Sequence, residues 1–129
     1  MTSGITTWID GEFIDCAQAT VPLLSHSFSR GSAVFEVMAV TSTVTGPAFF
    51  CLEEHVDRFL FSAGQTYMKV PFPRETIREA LMELARINSV TAGLAKFFAY
   101  YPDIEFGTTP SGGVSVAVFC FNYTSCGIR

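Results

Sequence analysis

Two kinds of hydrophobic spacing alternate along this chain. From Phe50 to Lys69, the residues Leu52, Val56, Phe59, Leu60 and Ala63 recur at the interval that gathers side chains on one side of a helix. From about Pro73 to Ile87, Ile77, Leu81, Leu84 and Ala85 do the same. Glu53, Glu54 and Asp57 crowd the first turns of the first helix, where carboxylates meet the positive end of its dipole. Elsewhere the period is shorter. Thr6–Ile14 reads as a hairpin turning on Asp10-Gly11, Ala33–Thr43 as a long strand and Ala48–Cys51 as a short one; Leu94–Tyr101 and Val114–Tyr123 read as two more strands. Residues 15–26 are irregular, Ser25–Ser32 is a loop or a short helical turn, and 102–113 is a loop rich in Pro and Gly. Strands grouped on either side of a helix pair predict an α+β fold. It is an antiparallel sheet with two helices packed on one face, in one domain over residues 1–129.

Composition narrows the function. The formal charge is -4 with no basic stripe, which argues against nucleic acid and against an anionic membrane surface. No stretch reaches membrane-spanning length without polar interruption, and the first residues lack a basic start and an apolar run, so a cytoplasmic protein is the expectation. Cys16, Cys51, Cys120 and Cys126 form no Cys-x-x-Cys pair and no metal-site spacing; reduced thiols and no bound metal are expected. Hydrophobic residues make up 49% of the chain, thirteen of them Phe, which is high for a lone small domain. Part of that surface is expected to face another domain or another chain.

Arg58 poses the chemical question. It falls between Val56 and Phe59, close to the apolar stripe, so its fork either bridges to Glu54 one turn earlier or reaches an anion. Glu36, embedded in a strand, needs a partner or water. His26 and His55 read as structural, with His55 three residues before Arg58 and able to face the same way. Arg30, in a loop before Gly31, reads as a solvent or dimer contact.

Three stretches in order carry a resemblance: W-I-D-G-E-F at Trp8–Phe13, H-S-F-S-R-G-S-A-V-F-E at His26–Glu36, and L-E-E-H-V-D-R-F-L-F-S-A at Leu52–Ala63. They resemble the N-terminal part of the class IV aminotransferases, fold type IV of the pyridoxal-phosphate enzymes. That group includes branched-chain and D-amino acid aminotransferases and aminodeoxychorismate lyase. The resemblance implies that Arg58 binds the phosphate of pyridoxal 5'-phosphate and that the Phe35 ring lines the substrate side. It also implies an amino acid and a 2-oxo acid as substrates, and a homodimer. Phe35 lacks the hydroxyl of the Tyr that D-amino acid members carry there. Val37 and Ala39 stand where branched-chain members often have Gly and Arg.

This chemistry needs a lysine that carries the cofactor covalently. Lys69 and Lys96 are the two lysines here, and neither matches the family's. In the family that lysine, and the glutamate facing the pyridine nitrogen, lie in a second domain. The expectation is therefore a small domain whose lysine-bearing C-terminal partner is missing, with no catalytic residue of its own and no activity alone. A lyase of the aminodeoxychorismate type, or a non-enzymatic α+β domain used for self-association, are the alternatives.

Overall fold

The computed structural model describes residues 4–127. Among them lies a six-stranded sheet: β1 (Thr6–Ile9), β2 (Glu12–Asp15), β3 (Val34–Thr43), β4 (Gly46–Phe49), β5 (Ala92–Tyr100) and β6 (Ser115–Asn122). The spatial order is β2-β1-β6-β5-β3-β4, and each pairing is antiparallel. The β1–β2 turn falls on Asp10 and Gly11, with φ of 49° and 97°, as a two-residue hairpin requires.

Three α-helices among the described residues follow the same logic. The five-residue α1 (His26–Arg30) is capped by the Ser25 hydroxyl, which accepts from the Phe28 N–H. The longer α2 (Leu52–Gln65) and α3 (Arg74–Ile87) pack on one face of the sheet, α2 over β3 and α3 over β6 and β1. Their apolar stripes meet the inward residues of the strands. Phe59, Leu81, Leu84, Phe97, Val116 and Val118 are wholly buried. Phe59 meets Phe97 edge to face, ring centroids 4.9 Å apart. The α+β class and the single helical face are as expected.

Helix α2 is shorter than the Phe50–Lys69 expectation. Cys51 has a left-handed backbone (φ 53°), so the chain turns sharply from β4 before the helix begins. At the other end Tyr67 is left-handed (φ 62°), and the Met68 N–H donates to the Ala63 carbonyl, closing the helix as a capping turn does. The β4 strand starts at Gly46, two residues earlier than expected, because Pro47 and Ala48 pair with Ser42 and Thr41.

Two features matter for the site. The β4 strand pairs only with Val40–Thr43, so the Val34–Ala39 half of β3 has no strand beside it on that edge among the described residues. Asn88, just past α3, locks helix to sheet. Its side-chain nitrogen donates to the carbonyls of Thr6 and Cys120, and its oxygen accepts from the Thr6 N–H.

Candidate functional site

Alternation along β3 sends Glu36 inward, under α2, and Phe35 and Val37 to the opposite face. Glu36 is 7% exposed and lies beneath the first two turns of α2. His55 and Arg58, three residues apart, project from one side of that helix and converge on this carboxylate. The Arg58 Nε–H donates to Oε2 at 2.8 Å and Nη2 donates to Oε1 at 2.7 Å, a two-point fork. His55 Nδ1 lies 2.8 Å from Oε1. The Arg58–Glu54 bridge that the spacing allowed is not made; the partner comes from the sheet. Glu36 is therefore satisfied, as a buried carboxylate must be.

Burial by itself would raise the Glu36 pKa. Hydrogen bonds and charge from Arg58 and His55 outweigh that and hold the carboxyl below its ordinary value. The reciprocal effect, a hydrogen bond to Glu36, raises Arg58 above its usual range. The Arg58 side chain remains 64% exposed, and Nη1 has no partner among the described residues. The fork that faces Glu36 uses the Nε–Nη2 edge, so the Nη1–Nη2 edge points away. A guanidinium with one edge anchored and the other presented fits a phosphate or carboxylate.

Phe35 is 56% exposed on the sheet face opposite the helices. It belongs to an aromatic row with Phe98 and Phe119, centroid distances 6.0 and 5.8 Å along the row. The Lys96 ammonium sits 4.8 Å from the Phe35 centroid and 5.0 Å from that of Phe98. Lys96 has no hydrogen bond or ion pair among the described residues. Its register opposite Val37 and Phe119 puts it on this apolar face. The sequence signal was its spacing two residues before Phe98 on a strand. Beside this row lies a cavity of about 340 Å³ walled by Ile9, Val21, Phe28, Phe98, Tyr100 and Phe119. Burial lifts the Tyr100 hydroxyl above its usual pKa, and the nearby Asp10 charge adds to this against a hydrogen bond with Ser115.

The remaining candidates are structural. His26 Nδ1 lies 2.8 Å from the Ser32 hydroxyl, and Nε2 lies 3.2 Å from the Thr108 carbonyl, pinning α1 to the 102–113 loop. Arg30 donates to the Phe106 carbonyl in the same loop. Cys16, Cys51 and Cys120 are free thiols, with Cys120 pushed up to about 12 by burial; the Cys126 side chain lies outside the described residues. Among the described residues no group of three or more His, Cys, Asp or Glu could hold a metal ion. No helix there is long and apolar enough to cross a membrane.

No family model matches the chain. It is 32% identical over 105 residues to the branched-chain-amino-acid aminotransferase of Pseudomonas aeruginosa, covering 81% of this chain and 34% of that protein. It is 29% identical over 103 residues to the chloroplastic D-amino-acid transaminase of Arabidopsis thaliana, covering 80% and 26%. A crystal structure of the T.th. branched-chain amino acid aminotransferase with pyridoxamine 5'-phosphate is similar at a TM-score of 0.87 and 31% identity, over 95% of this chain and 41% of that one. The chain thus spans between about a quarter and two fifths of the length of these relatives.

Proposed function

Because this chain belongs to the fold type IV pyridoxal-phosphate aminotransferases, we propose that it is the phosphate-gripping small domain of an enzyme moving an amino group between an amino acid and a 2-oxo acid. The reading rests above all on Arg58, anchored on one edge and open on the other. Its open edge would take two oxygens of the pyridoxal 5'-phosphate dianion, a match in shape and charge that lysine could not reproduce. When bound, the cofactor supplies an electron sink for the substrate.

The other residues divide the remaining work. Phe35 presents an apolar ring on the substrate side, next to the uncovered edge of β3. Lys96, backed by two aromatic faces, offers an ammonium to a substrate carboxylate. On this reading the covalent lysine would come from the part of the relatives' length that this chain does not span. The exposed apolar side chains Leu23, Leu24, Phe28, Ile104 and Phe106 would be covered in a homodimer or against that second domain.

Titration of the chain with pyridoxal 5'-phosphate, followed by amide chemical shifts, tests the role of Arg58. Saturable binding is expected, weakened at least about tenfold in Arg58→Met, the scale of one charged hydrogen-bonding group. Equal binding by both proteins would remove Arg58 from the site.

A further inference from the structure

Glu36 does more than satisfy Arg58. We propose that it is a positioning residue for the anion site: it fixes the guanidinium so that the Nη1–Nη2 edge stands ready for phosphate. This rests on the reading of Arg58 given above.

Three observations carry it. First, Glu36 is held by the sheet. Its backbone pairs with Phe97 across β5, and its side chain is 7% exposed, so the carboxylate cannot follow a mobile arginine. Second, Glu36 meets Arg58 side-on, through Nε and Nη2, rather than end-on. An end-on fork would consume the edge that an anion needs; a side-on fork spares it. Third, His55 Nδ1 occupies Oε1 from the other side at 2.8 Å, so both carboxylate oxygens are fixed by donors from α2. The other acids near it on α2 make no ion pair with Arg58: Asp57 pairs with Arg74, Glu53 pairs with Arg74 and Arg78, and the bridge to Glu54 is not formed.

The opposing possibility is that Glu36 neutralises Arg58 and weakens anion binding. The geometry weighs against this. A freely rotating arginine loses more side-chain freedom when it binds, and anchoring removes that loss beforehand. The gain expected from immobilising one such side chain is about fivefold in affinity.

The test titrates inorganic phosphate, and separately pyridoxal 5'-phosphate, into the chain and the variants Glu36→Gln, Glu36→Asp and Arg58→Met. The Arg58 Nε–H resonance is followed by NMR, and melting is measured for each protein. Glu36→Gln is expected to weaken phosphate about fivefold and to speed exchange of the Arg58 Nε–H. Glu36→Asp, which keeps the charge, is expected to recover part of both. Unchanged or tighter phosphate binding by a folded Glu36→Gln overturns the proposal, whatever happens to melting. If Glu36→Gln does not fold, the wild-type spectrum decides. Retention of the slowly exchanging Nε–H with phosphate bound supports the proposal, and its loss overturns it. If Arg58→Met binds like wild type, the reading of Arg58 fails first. If only Arg58→Met weakens binding, Arg58 stands and the role of Glu36 falls.

Discussion

At the scale of single residues, Glu36 links strand to helix and makes that link depend on pH. Its folded pKa lies below the ordinary value of 4.5, so the ionised form is favoured by folding. The stabilisation is complete above about 4.5 and disappears as pH falls through the depressed folded value. Urea midpoints measured from neutral pH down into the acid range are expected to fall as Glu36 takes up its proton in the wild type. In Glu36→Gln the midpoint is expected to be lower at neutral pH and to decline less on acidification. An equal decline in both proteins would show that other carboxylates set the acid sensitivity. That Arg58 must lay its stem along an apolar stripe and send its charged head elsewhere was legible in the sequence. Its partner was not, because a helix pattern names neighbours at i±3 and i±4, whereas Glu36 is brought there by the strand 22 residues away. Lys96 over Phe35 was missed for the same reason: the contact crosses from β5 to β3.

At the scale of elements, periodicity predicted every long strand and both long helices, while the ends were set by tertiary constraints. Phe50 and Cys51 fall where the strand and helix expectations overlap and belong to neither element: the Phe50 N–H is taken by the Ala39 carbonyl and Cys51 makes the turn. Two substitutions probe how tightly these elements are fitted. Phe59→Ala removes a wholly buried ring packed on Phe97 and is expected to cost about 3–5 kcal/mol in chemical denaturation. Gly93→Ala is harsher than its size implies. An added Cβ would lie 1.9 Å from the Phe121 carbonyl oxygen, a backbone atom of β6, so the strand itself would have to shift. Loss of the cooperative melting transition is expected for it, and a melting temperature near wild type would show that β5 and β6 can separate.

At the scale of the molecule, one sheet face is closed by helices and the other remains partly apolar, with Phe35, Phe98 and Phe119 in a row and a cavity beside them. The proposed division of labour makes a direct prediction. The 129-residue chain is expected to give no transaminase turnover with amino acid, 2-oxo acid and pyridoxal 5'-phosphate, measured by 2-oxo acid formation. Turnover by this chain alone would place the covalent chemistry on Lys69 or Lys96 after all. Sedimentation is expected to show self-association that rises with concentration, because Leu23, Phe28 and Phe106 stand exposed on the same molecule.

The sheet order also has a temporal side. The β1 strand leaves the ribosome before the other five, yet its inner neighbour is β6: the Val116 N–H donates to the Asp10 carboxylate across 106 residues of sequence. The opening hairpin must wait, unpaired on its inner edge, until β6 has been synthesised. Nascent chains arrested before β6 should therefore remain protease-sensitive at the hairpin and lean on chaperones, even after β3 and α2 have assembled.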